Sequence, residues 1–260
     1  MRDVLNKAYK KLMDAVEGLA NSDAIGIRTQ KLVTIPNYAY PCDNYLDTIL
    51  ENKLIRNTLR AIATKYYGKQ IEDIILNGSE VSAKNYPHLF VNYQDCCRTL
   101  SIANLPKVFV TSRLSGINAL SVEVMDNEPI ILLSFISVAG LNDLEQKFLL
   151  GHELGHIQMG HMLAHTVQGL LQDLNKRVEL LGPIVTDLID VPLNRWYRTS
   201  EFTADRAGYL CCKDINAIKQ LFKRLEPDTP VNAFEQYKEL SDAYPRLATR
   251  LAQLLQYTQL

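Results

Sequence analysis

His152, Glu153 and His156 stand in the order His-Glu-Leu-Gly-His. Residues four apart on an α-helix differ by only about 40° of rotation and about 6 Å of rise, so both imidazoles can reach one ion. Neutral imidazole suits a borderline metal such as zinc, and a catalytic zinc takes three protein ligands while keeping a position for water. Bound zinc lowers the pKa of that water from about 15.7 towards 7. A carboxylate placed as Glu153 is can accept the proton and later deliver it to a leaving amine. This chemistry would be peptide hydrolysis without a covalent intermediate, with one zinc per chain. The third ligand is expected from the stretch Glu201-Phe202-Thr203-Ala204-Asp205. Glu201 and Asp205 are again four apart, so Glu201 can bind the metal while Asp205 receives the free N–H of a ligand histidine.

The remaining candidates around the motif carry less. Glycine inside a helix costs about 1 kcal/mol relative to alanine, so Gly155 implies close packing or function. His161 and His165 repeat the four-residue spacing, but five residues separate His156 from His161. On a continuous helix that turns the second pair about 140° away, which makes them structural histidines and not ligands. Trp196 and Tyr197 are expected to pack in the core. By residue type alone, Arg198, Arg206 and Arg250 are surface or ion-pair residues.

These groups need a helix under the first motif. Asn142 with Glu145 three residues on forms a capping-box pattern, and Leu144, Phe148 and Leu149 supply an apolar face. Upstream, Val4, Leu5, Ala8, Leu12, Val16 and Leu19 predict an amphipathic first helix. The proline-bounded stretch 35–41 should be irregular, and Leu46 to Ile62 should be one or two helices. Asn77-Gly78-Ser79 marks a turn, and Tyr86 to Leu100 a helix. Lys107–Thr111, Ala119–Val124 and Pro129–Ser134 have strand character, with Met125 to Glu128 as a hairpin turn between the last two. From Asn142 onward the pattern is almost wholly helical, so the expectation is an α+β fold. Residues 1–85 are expected to form an N-terminal helical extension or subdomain, and 86–260 the catalytic domain.

Composition narrows the partners. The 260 residues carry 28 basic and 29 acidic side chains, a net charge of −1, which gives no reason to expect nucleic acid or an anionic membrane surface. The N-terminal residues lack the uninterrupted apolar core of a secretory signal. The apolar stretch Pro129 to Leu141 is well short of the roughly 20 residues a membrane helix needs. Cys42, Cys96-Cys97 and Cys211-Cys212 have no disulfide-framework or metal-knuckle spacing and fit a reducing cytoplasm. Protein or peptide substrates are therefore the expected partners, with no nucleic acid and no integral membrane segment; oligomeric state is left open.

GHELGHIQMGH (Gly151 to His161) and SEFTADRAG (Ser200 to Gly208) together resemble the HtpX and CAAX prenyl-protease family of gluzincin metallopeptidases. The resemblance spans roughly Thr34 to the last helix and is closest to short soluble bacterial members. It implies a mostly helical, zincin-like domain with a small sheet whose edge strand lines the cleft. GINALSVEVMDNEPIILLS is similar to that edge strand and its neighbour, which puts Asn118 and Ala119 beside an extended substrate. Relatives often carry His-Pro with an arginine five residues after the proline. Here Tyr244-Pro245 precedes Arg250 at that spacing, so the resemblance implies substrate-side roles for Tyr244 and Arg250. The histidine's replacement by Tyr244 leaves a hydroxyl that can also donate to an oxyanion.

Three readings stay open on the residues alone: an active metalloendopeptidase, a latent peptidase or inactive zinc-binding scaffold covered by residues 1–85 or by Met162 to Arg198, and a helical interaction protein without metal.

Overall fold

A computed structural model describes residues 36–41, 53–123, 128–166, 191–226 and 244–259. The first predicted helix, residues 42–52, the hairpin turn and most of the insert between the two motifs lie outside the described residues. In chain order the elements are α1 (Lys53–Leu76), β1 (Ser79–Glu80), α2 (Pro87–Thr99), β2 (Lys107–Thr111), β3 (Ala119–Glu123), β4 (Pro129–Ser134), α3 (Phe135–Gly140), α4 (Asp143–Met159), α5 (Val191–Cys212), α6 (Ile215–Leu225) and α7 (Leu247–Thr258). The α+β expectation holds, and the three longer strands fall on the three runs with strand character.

The sheet runs β1-β2-β4-β3. β4 is its centre because it is apolar on both faces: Ile130, Ile131, Leu132 and Leu133 are all buried, the pattern of a strand covered from two sides. It pairs in parallel with β2, Lys107 opposite Ile130 through Thr111 opposite Ser134, and antiparallel with β3, Ala119 opposite Leu133. One face packs Ile131 and Leu133 with Val108 and Val110 against Leu89, Tyr93, Leu150 and Leu154 of α2 and α4. On the other, Val122, Ile130 and Leu132 receive Ile71, Ile74 and Ile75 of α1. The two-residue β1 pairs antiparallel with β2. Both described elements from the expected N-terminal extension therefore complete the sheet.

β3 is left at the edge, with no strand on its outer side among the described residues. Its start is tied down by serines. Ser137 Oγ donates to the Asn118 carbonyl and accepts from the Asn118 N–H, at 2.9 and 2.8 Å, and the Ser134 N–H donates to the same carbonyl.

α4 and α5 cross in close contact because glycine and alanine line the crossing. An added Cβ at Gly155 would sit 2.7 Å from Ala207 Cβ, and one at Gly208 would sit 2.7 Å from the Phe148 carbonyl oxygen. Glycine at 155 is thus a packing requirement between the two helices that carry the candidate ligands. Gly208→Ala drives a methyl into backbone that cannot move without displacing α4. We expect a loss of about 1–3 kcal/mol, the usual cost of overpacking, read as a lower urea midpoint with an unchanged slope.

Candidate metal centre

The capping box forms as predicted. Asn142 Oδ1 accepts from the Glu145 N–H and Glu145 Oε2 accepts from the Asn142 N–H, each at 3.0 Å, so α4 begins at a defined residue. His152 and His156, one turn apart on α4, point the same way, and their Nε2 atoms lie 3.1 Å from each other. Glu201 on α5 closes the triangle. Its Oε2 is 3.5 Å from His152 Nε2, and its Oε1 is 3.5 Å from His156 Nε2. All three residues are buried.

These donors fit a tetrahedral metal. Ligand bonds of 2.0–2.1 Å put donor atoms about 3.3 Å apart, and 3.1, 3.5 and 3.5 Å bracket that value. The electrostatics agree. His152 Nδ1 is 3.1 Å from Asp205 Oδ1, an acceptor, so the ring proton belongs on Nδ1 and the Nε2 lone pair faces inward. Glu201 is buried, and its Oε2 also meets the Arg250 guanidinium at 3.0 Å. Inward imidazole lone pairs facing a buried carboxylate are stabilised by a metal cation between them. The two-histidine, one-carboxylate set is the ligand chemistry of zinc hydrolases.

Glu153 is buried beside this trio. Burial raises its pKa, against the lowering effects of His152 and of hydrogen bonds with Ser121 on β3. Burial also penalises the charge on Glu201 and Asp205, but Arg250 and His152 outweigh it and hold both carboxyls below the ordinary range.

A model of peptidase family M48 matches residues 91–258, more than half of the chain and both motifs. The chain belongs to peptidase family M48. The plastoglobule-localized metallopeptidase 48 of Arabidopsis thaliana, a chloroplastic protein, is similar at 26% identity over 113 residues, 44% of this chain and 33% of that one. The chain thus matches about a third of that relative's length. No solved structure matches.

In this M48 chain, Asp205 lies 3.1 Å from His152 Nδ1 and meets Arg250 through both carboxylate oxygens. Arg250 is placed differently from a substrate clamp. It is 4% exposed. Its Nε and Nη2 donate to Asp205 at 2.8 and 2.5 Å, and its Nη1 is 3.0 Å from Glu201 Oε2. Nη1 also donates to the Tyr244 hydroxyl. The guanidinium is spent behind the metal triangle, holding two carboxylates. Tyr244 is 51% exposed, so its ring reaches solvent while its hydroxyl rests on Arg250. Burial of the hydroxyl end raises its pKa, and it stays protonated. Ala119 opens the edge strand, and the Asn118 backbone is the serine-bound anchor that precedes it.

The expectation for His161 and His165 is overturned in its geometry. It assumed a continuous helix, but α4 stops at Gly160, whose φ of 71° is left-handed, a conformation open to glycine. The Gly160 N–H bonds to the Ile157 carbonyl and the His161 N–H to the His156 carbonyl, so the chain reverses. His161 returns to the ligand side with Nδ1 3.0 Å from His156 Nδ1. His165 bonds Ser200 Oγ at 2.8 Å, its ring stacked on Tyr197 and edge-on to Trp196. Burial depresses both imidazoles well below the ordinary histidine value, so both are neutral. Two roles escaped the sequence argument. Ser121 had a signal, since alternation in Ala119–Glu123 puts it on the face of Ala119. Arg250 at the carboxylates had none, because no local pattern brings α7 to α5.

Proposed function

We propose that this chain is a zinc metalloendopeptidase that cleaves internal bonds of protein or peptide substrates. The observation that carries the reading is the triangle of His152, His156 and Glu201 donors with the buried Glu153 carboxyl beside it. Bound zinc supplies a Lewis acid that polarises a peptide carbonyl and acidifies water. Glu153 takes the proton from the attacking water at its carboxylate and passes it to the leaving nitrogen. Asp205 holds the His152 Nδ1 proton and so keeps Nε2 free as a ligand. Arg250 keeps Asp205 and Glu201 ionised. The Tyr244 hydroxyl, which accepts from Arg250 and keeps its own proton, is the proposed donor to the oxyanion that forms at the scissile carbonyl. An extended substrate adds along the free edge of β3 from Asn118 and Ala119.

Residues 86–260 make up the proposed catalytic unit, with α1 and β1 as support for its sheet. No helix among the described residues is long and apolar enough to cross a membrane. Cys96, Cys97 and Cys212 are buried free thiols, as suits a reducing cytoplasm.

The test is metal analysis of the purified chain together with casein hydrolysis before and after treatment with a zinc chelator. About one zinc per chain, loss of cleavage on chelation and its return on adding zinc are expected. Zinc without cleavage would favour the latent or scaffold reading, and a folded chain that cannot be loaded with zinc would overturn the metal centre itself.

A further inference from the structure

We propose that His161 is the residue that orients His156 for metal binding, by accepting the His156 Nδ1 proton at its own Nδ1. The inference rests on the zinc reading above.

The two Nδ1 atoms are 3.0 Å apart and both residues are buried, so one and only one of them carries the shared proton. The inward side of His156 decides which. Its Nε2 faces the Nε2 of His152 at 3.1 Å and Glu201 Oε1 at 3.5 Å, so it must present a lone pair to act as a ligand. The His156 proton is then on Nδ1, and His161 is the acceptor, protonated on Nε2. A ligand histidine regularly donates its second N–H to a fixed acceptor that sets tautomer and ring plane. His152 has Asp205 in that role at 3.1 Å, whereas α5 offers no equivalent carboxylate to His156.

His161 fills the place because of where the chain turns. The left-handed Gly160 and the His161 N–H bond to the His156 carbonyl fix the backbone within one residue of the helix end. The imidazole itself is held by aromatic packing, with Trp196 edge-on at 5.1 Å between centroids and His165 stacked at 6.0 Å. The two ligand histidines thus have unlike partners, a carboxylate behind His152 and a neutral imidazole behind His156.

The experiment compares zinc affinity of the wild type, His161→Phe and His161→Gln by competition with a chromophoric chelator, and reads histidine tautomers in the metal-free wild type from long-range proton–nitrogen NMR correlations. Phenylalanine keeps the ring but has no acceptor, and glutamine restores one. We expect His161→Phe to weaken zinc binding about 10- to 100-fold, as loss of an outer ligand partner does, with most of the loss recovered in His161→Gln. The NMR spectra should show His156 protonated on Nδ1 and His161 on Nε2.

A His161→Phe chain that folds and binds zinc as tightly as wild type overturns the proposal. So does a His161 proton on Nδ1, a reading available even if a variant fails to fold. A second zinc in the wild type that disappears in His161→Phe would also overturn it, making His161 a metal ligand. A wild type that binds no zinc sinks the metal-centre reading instead, and the tautomer measurement still judges the His156–His161 bond by itself.

Discussion

Glu153→Gln is expected to lower casein cleavage by about 10³-fold, within the range for loss of a general base, while zinc content stays near one per chain. Glutamine has the size of glutamate and keeps an oxygen for Ser121, so the packing between α4 and β3 survives. It cannot accept a proton. Burial raises the pKa of the native carboxyl against the lowering effects of His152 and Ser121, which moves it towards the proton affinity a base for water requires. The measurement is kcat/KM on a quenched peptide derived from a casein cleavage site, with metal analysis on the same sample. Cleavage at the wild-type rate would remove Glu153 from the mechanism. Joint loss of zinc and activity would make it a structural part of the metal site.

Arg250→Leu should be the most damaging single change away from the metal ligands. Asp205 and Glu201 are 1% and 3% exposed, and the Arg250 guanidinium lies 2.5 Å from one and 3.0 Å from the other. Removing it leaves two buried carboxylates without their guanidinium partner, and breaking a buried pair in this way costs about 3–5 kcal/mol. Leucine fills part of the volume, so the loss is chiefly electrostatic. Added zinc should return part of the stability, because an ion that binds only the folded state stabilises it by mass action and offsets the same negative charge. Urea unfolding with chelator and with zinc measures both effects. A variant as stable as wild type under chelator would show that the guanidinium does not hold the carboxylates. A KM increase with unchanged stability would return Arg250 to the substrate side.

What the sequence determined is local. A four-residue spacing fixes which side chains share a helix face, so the pairing of His152 with His156 and of Glu201 with Asp205 was readable before any fold. The capping box, the strand alternation and the apolar run that became central β4 are likewise short-range. Tertiary structure decided what depends on where the chain turns and what comes back. One left-handed glycine sends His161 to His156 when periodicity points it away. Arg250 arrives at Asp205 from 45 residues along the chain, and Ser121 meets Glu153 because the edge strand lies on α4. Spacing within a helix is set by backbone hydrogen bonds that every residue makes, whereas a contact between elements depends on how whole faces pack, and no stretch of sequence carries that by itself.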